Sequence, residues 1–126
     1  MAFVVLISLF WDGPLRWAAC AGILIMAWAD AGAGLVGARF GRHPFSLLGA
    51  RKSVEGSLAM LGISFITCWI VFGGLGRISL SETFLAASLV SLVATAVEAI
   101  SGRGLDNVTV PVASAVASYL LLFAPR

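Results

Sequence analysis

The chain has 126 residues, 60% of them hydrophobic and only 11% charged, with a mean hydropathy of +1.04. Soluble domains carry about 25% charged residues, so this chain lacks the polar surface to cover a core in water and reads as one integral membrane domain over 1–126. A net charge of +2 with no basic, aromatic-interleaved run points away from nucleic acid, and Cys20 and Cys68, far apart in apolar runs, form no metal or redox spacing.

In chain order, Ala2–Trp11 comes first. These ten apolar residues rise about 15 Å as a helix, half a hydrocarbon core, and Asp12-Gly13-Pro14 closes them with a turn. A short N-terminal helix is expected, either a half-helix or the trimmed end of a longer one. Trp17–Ala38 follows, 22 residues whose only charge is Asp30. Gly56–Gly76 has no charge in 21 residues, Thr83–Val97 none in 15 before the run closes on Glu98, and Val108–Pro125 none in 18. A span needs roughly 20 apolar residues, which the third run reaches if its helix continues through Ser101. The predicted fold is an all-α, polytopic membrane helix bundle of four full transmembrane helices plus the short N-terminal one. No alternating strand pattern occurs.

Within the first long run, Gly32-x-Gly34-x-x-Gly37 spells a dinucleotide-binding fingerprint. That fingerprint requires a preceding strand and a βαβ unit. Here the glycines finish a helix of membrane length. Asp30, Gly34 and Gly37, at i, i+4 and i+7, share one helix face, where small residues admit a neighbouring backbone. Packing accounts for the glycines but not for Asp30, because an ionisable group inside a span usually faces a pore, a partner or a site.

Following the crossings, the loop Arg39–Glu55 and the loop Glu98–Asn107 emerge at the same membrane surface. Four of six acids and five of eight basic residues collect there, against Asp12, Glu82, Arg16, Arg77 and Arg126 on the other side. The excess of basic residues predicts that the charged face is cytoplasmic. Polar stripes run toward it: Ser88, Ser91, Thr95 and Glu98 share one face, Ser57 pairs with Ser64, and Ser114 with Ser118. Hydrogen bonds between helices are the expected use of these serines, whereas Glu98 is aimed into a polar interior. Arg42 and His43 are expected as solvated loop residues.

Asp30, Glu98 and Asp106, with Asn107, offer hard oxygen ligands suited to Mg²⁺. Arg39, Arg42, Arg51 and Lys52 suit phosphate oxygens. Together they suggest a nucleoside triphosphate acting on a lipid at the membrane surface. Gly49-Ala50-Arg51-Lys52-Ser53 lacks the spaced glycines of a phosphate-binding P-loop, so the nucleotide is held by another geometry.

Four blocks occur in order: Asp30 to Gly41 (DAGAGLVGARFG), Arg51 to Met60 (RKSVEGSLAM), Val97-Glu98-Ala99, and Gly104 to Pro111 (GLDNVTVP). Over Ala27 to Ala115 the chain resembles the CTP-dependent membrane lipid kinases, which include phytol kinase, dolichol kinase and the CTP-using diacylglycerol kinase. That group is itself similar to phosphatidate cytidylyltransferase, whose longer Lys-Asp and Gly-His-Gly-Gly region is absent here. The Asp-Asn-x-Thr-Val-Pro block leans toward the phytol kinase branch.

The resemblance implies transfer of the γ-phosphate of CTP to a phytol- or polyprenol-type lipid alcohol. Asp30, Lys52 and Glu98 are the implied catalytic residues. Arg39, Arg51, Lys52, Ser53, Glu55 and Asn107 are the implied nucleotide-binding set, and Asp30, Glu98 and Asp106 the Mg²⁺ ligands. Asp30, the deepest carboxylate, is the first choice to accept the hydroxyl proton, and Asp106 or Asn107 also suits capping of the last helix. Family members usually carry further N-terminal membrane helices, so the alcohol groove is expected to be completed by a homodimer or to be missing. The alternatives are a cytidylyltransferase making a CDP-lipid and a truncated, non-catalytic membrane protein.

Overall fold

The computed structural model describes residues 2–13, 15–75, 78–102 and 105–122, without the side chains of residues 2, 3, 10 and 106. A short helix, α1 (Ala2–Phe10), precedes α2 (Leu15–Phe40). A hairpin of β1 (Pro44–Leu47) and β2 (Ala50–Ser53) then leads into α3 (Val54–Leu75), followed by α4 (Leu80–Ile100) and α5 (Asp106–Leu122). Three helices, α2, α3 and α4, at 26, 22 and 21 residues, are long and apolar enough to cross a membrane. The last apolar run forms a helix of 17 residues, below full spanning length, so four full spans are not all realised among the described residues. It also starts earlier than its apolar run, at Asp106, which puts Pro111 inside the helix.

The bundle is held by small residues inside and large ones outside. Ala18, Ala19, Ala21, Ala29, Ala86 and Ala94 are buried, with Ile25, Met60, Phe72 and Val90 filling the space between helices. Leu35, Leu58, Ile66, Leu85 and Leu120 point outward. Lipid tails are as apolar as leucine, so helix association draws on close van der Waals packing, which alanine and glycine permit. The contact of α2 with α5 shows how close: a Cβ at Gly22 would lie 2.4 Å from the carbonyl oxygen of Pro111.

The ends are fixed by hydroxyl caps. Ser53 Oγ accepts from the Gly56 N–H at 3.1 Å to start α3, and Ser79 Oγ accepts from the Glu82 N–H at 3.4 Å to start α4. Ser101 Oγ donates to the Val97 carbonyl at 2.6 Å and lies 2.8 Å from Thr109 Oγ1, tying the end of α4 to the first turns of α5.

Two expectations need correction. The fold is not all-α: Pro44–Leu47 pairs antiparallel with Ala50–Ser53 across a two-residue turn in which Leu48 and Gly49 have φ of 48° and 82°. Positive φ at both central residues matches the strand twist of a tight hairpin, although leucine is poorly suited to that region. The serine stripes, in turn, bond mainly along their own helices. Ser88, Ser91, Thr95 and Ser118 each donate to a carbonyl three or four residues back. A short side chain reaches its own preceding turn more easily than a neighbouring helix.

The contact at Gly22 yields a test. Gly22→Ala is expected to lower the thermal stability of the purified protein in detergent, by about 1–3 kcal/mol as an overpacked interface. Gly62→Ala, where a Cβ would meet nothing within 4 Å, is expected to leave the melting temperature unchanged or raised.

Candidate functional site

The charged end of the bundle holds a cleft of about 520 Å³, and α2 forms one wall of it. Asp30, Ala33, Gly34, Gly37, Ala38 and Gly41 line it at i, i+3, i+4, i+7, i+8 and i+11, a single helix face. Beyond Asp30 this wall carries nothing larger than a methyl group. Asp30 is the last residue of a wide π-helical turn, Ile25–Asp30; such turns shift the helix register and occur often at functional sites.

The glycines divide their work. A Cβ on Gly37 would come within 2.9 Å of Ser53 Oγ, and one on Gly56 within 3.0 Å of the Ala33 carbonyl oxygen, so α2 and the start of α3 touch through backbone. A Cβ on Gly34 would meet nothing within 4 Å. Gly34 therefore keeps the cleft open and Gly37 keeps the helices together. Among the described residues no strand precedes the glycine run, which lies wholly within α2.

Opposite α2 stand Pro44, Arg51, Lys52 and Ser53 from the hairpin, Gly56 and Ser57 from the first turn of α3, and Glu98 from the last turn of α4. Lys52 Nζ donates to Glu98 Oε1, joining positions 46 residues apart. The side chains are 20% and 6% exposed, so the pair is largely removed from water. The second carboxylate oxygen, Glu98 Oε2, is buried without a hydrogen-bond partner, as is Ser57 Oγ. Ser53 uses its lone pair as the α3 cap, which directs the first N–H groups of that helix toward the cleft end of the bundle.

Of the residues expected at the site, Asp30, Arg51, Lys52, Ser53 and Glu98 line this one cleft. Arg39 does not line it; it is exposed, with its guanidinium carbon 5.9 Å from the Phe40 ring centroid. Glu55 does not line it either. Its Oε1 sits 2.6 Å from His43 Nδ1 and its Oε2 accepts from the His43 N–H at 3.3 Å, while the Val54 N–H donates to the His43 carbonyl at 3.0 Å. Glu55 and His43 thus clamp the base of the hairpin. Asn107 is exposed on the first turn of α5, outside the lining, and the side chains of Asp106 and Arg103 lie outside the described residues. Among the described residues no three His, Cys, Asp or Glu side chains cluster as metal ligands.

Ser57 has no counterpart among the expected site residues. In the sequence it pairs with Ser64 as half of an i, i+7 stripe. Its place one turn beyond the cap Ser53 is the signal that puts it in the cleft.

Breaking one side of a buried ion pair leaves an uncompensated charge, at a cost of about 3–5 kcal/mol. Glu98→Leu alone is accordingly expected to lower thermal stability strongly, and Lys52→Met combined with Glu98→Leu to recover much of the loss. A double-mutant cycle on melting temperature in detergent reads the coupling; strict additivity would mean the two side chains do not depend on each other.

The chain is 41% identical over 108 residues to the phytol kinase of Synechocystis sp., a match covering 80% of this chain and 43% of that protein. It is 30% identical over 112 residues to CTP-dependent diacylglycerol kinase 1 of Saccharomyces cerevisiae, covering 75% of this chain and 38% of the relative. No family model and no solved structure matches. The chain spans less than half the length of these curated relatives, and within that span it is similar to CTP-dependent lipid kinases.

Proposed function

We propose that the chain transfers the γ-phosphate of CTP to the hydroxyl of an isoprenoid-type lipid alcohol at the cytoplasmic membrane face, in a Mg²⁺-dependent reaction. The observation that carries the reading is the single cleft in which two cations, Arg51 and Lys52, meet two carboxylates, Asp30 and Glu98. CTP and the alcohol class follow the relatives' names, and the stronger likeness is to the phytol kinase. The cytoplasmic assignment rests on the excess of basic residues at this end. A fourth crossing by α5 is part of the same reading, since about 26 Å of helix can span by local thinning of the bilayer.

The donor set suits the metal. Kinase sites hold Mg²⁺ through one or two carboxylates and the substrate phosphates, and Glu98 Oε2 is a buried oxygen with no partner inside a cleft that Asp30 also lines. Asp30 and Glu98 would hold the ion, with Asp106 as the third acid of the proposed set. When bound, Mg²⁺ would neutralise charge on the phosphate oxygens.

Phosphoryl transfer asks a protein chiefly for positioning and charge neutralisation. Arg51 and Lys52 bind the triphosphate oxygens and stabilise the charge that develops on them. Ser53 donates a hydrogen bond from its hydroxyl while its oxygen caps α3. The small-residue wall of α2 lets the nucleotide lie against backbone. A bond forms from the alcohol oxygen to the γ-phosphorus, the bond to the β–γ bridging oxygen breaks, CDP leaves, and Asp30 takes the hydroxyl proton.

The test is purified protein with Mg²⁺, γ-labelled CTP and a panel of a C20 isoprenoid alcohol, a longer polyprenol and diacylglycerol. Label in the lipid is expected. Label in pyrophosphate would replace the kinase by a cytidylyltransferase, and label in neither would end both. Asp30→Asn is expected to lower transfer about a hundredfold or more. Gly34→Leu, at a cleft-lining position where an added Cβ meets nothing within 4 Å, is expected to abolish transfer with the melting temperature retained.

A further inference from the structure

The helical hydroxyls of this protein follow one habit. Thr67, Ser88, Ser91, Thr95, Ser101 and Ser118 donate to carbonyls three or four residues back. This is the cheapest way to satisfy a hydroxyl in a membrane helix. Among the described residues three buried hydroxyls, those of Ser57, Ser64 and Ser114, make no hydrogen bond. Of these only Ser57 lines the cleft, which it shares with Glu98 and its second unpartnered oxygen. A buried polar group left unmade costs free energy, and in a cleft that cost is recovered when a ligand arrives.

The position of Ser57 indicates which ligand. Ser53 and Lys52 stand at the junction of the hairpin and α3, and Ser57 lies one turn further along α3, about 6 Å deeper into the bundle. The cations are therefore at the mouth, where a triphosphate enters from water. The acceptor comes from the other direction, with its tail in the bilayer. The first polar group it needs to meet is a single neutral hydrogen-bonding atom, not a second cation.

We infer that Ser57 Oγ, at the deep end of the cleft, binds and orients the hydroxyl of the lipid alcohol and so sets acceptor affinity apart from nucleotide affinity. The inference rests on the kinase reading for the acceptor's identity. Ser57 Oγ accepts a hydrogen bond from, or donates one to, the acceptor oxygen, which holds that oxygen for attack while its proton passes to Asp30. A site that hydrogen-bonds a substrate hydroxyl also discriminates against analogues lacking it, because its own polar group is then left unpaired.

The experiment compares wild type, Ser57→Ala and Ser57→Thr in nanodiscs. Transfer kinetics are measured against both substrates, and a radiolabelled C20 isoprenoid alcohol is bound at equilibrium without nucleotide. Ser57→Ala is expected to raise the alcohol KM and weaken alcohol binding about five- to tenfold, as for one neutral hydrogen bond. The CTP KM and the melting temperature stay unchanged, and Ser57→Thr retains alcohol affinity. Alcohol binding within twofold of wild type in Ser57→Ala, or a CTP KM that rises in parallel, overturns the assignment. Ser57-dependent binding without any phosphate transfer would sink the kinase reading and leave the acceptor site standing. Transfer with Ser57-independent binding would do the reverse.

Discussion

The site depends on one interaction, the ion pair of Lys52 with Glu98. Lys52 sits in the second strand of the hairpin, whose base is clamped by His43 and Glu55, and Glu98 sits in the last turn of α4. Their contact joins the hairpin to α4 at the cleft. Removing two charges from water is costly unless the geometry is good and the remaining atoms are satisfied. Here one carboxylate oxygen remains unsatisfied. Under the proposed function that open oxygen makes the pair half of a site as well as a staple. Under the proposed function the charges also make sense together. Two cations and two carboxylates leave the cleft formally neutral, so it would repel a bare triphosphate from its acids. The same acids favour a triphosphate that brings a divalent cation.

α2 supplies the second constraint. Its cleft face must be flat enough for backbone to meet a ligand and close enough to α3 to hold the hairpin's exit in place. Gly34 and Gly37, three residues apart, meet these two demands separately: one borders open space and the other would collide with Ser53 if it carried a side chain. The wide turn ending at Asp30 lets a single acid leave an apolar helix at the level of the cleft. Substitutions along this helix consequently divide into those that move the fold and those that fill the site.

Much of this was legible in the sequence because a membrane constrains it severely. Apolar runs must approach the bilayer thickness and charges must leave it, so the long helices and the clustering of Asp30, Lys52 and Glu98 at one end follow from counting residues. The hairpin was not legible. Its strands are four residues each, mixed in polarity, and their turn is Leu48-Gly49, with leucine in a conformation that normally signals asparagine, aspartate or glycine. Missing the hairpin also hid which basic residues face inward. Arg39 and Arg51 leave the same membrane surface, but only the strand pairing turns Arg51 to the cleft and leaves Arg39 over Phe40. Glu55 carried the family motif, yet its role depends on His43, twelve residues away across the hairpin.

Among the described residues, every group lining the cleft falls between Asp30 and Glu98, within α2, the hairpin, α3 and α4. α1 and α5 contribute packing: α5 meets α2 at Gly22 and holds the end of α4 through Ser101 and Thr109. Under the proposed function, phosphate chemistry and acceptor binding place different demands on the chain. Triphosphate recognition needs several charges fixed relative to one another, and a compact run of helices with one hairpin can supply them. A lipid tail needs only apolar surface, which the bilayer and any lipid-facing helix already offer without a motif. Under the proposed function, charge is handled where Lys52 and Glu98 pair, Ser57 meets the acceptor hydroxyl, and the tail is left to apolar surface that leaves little trace in sequence.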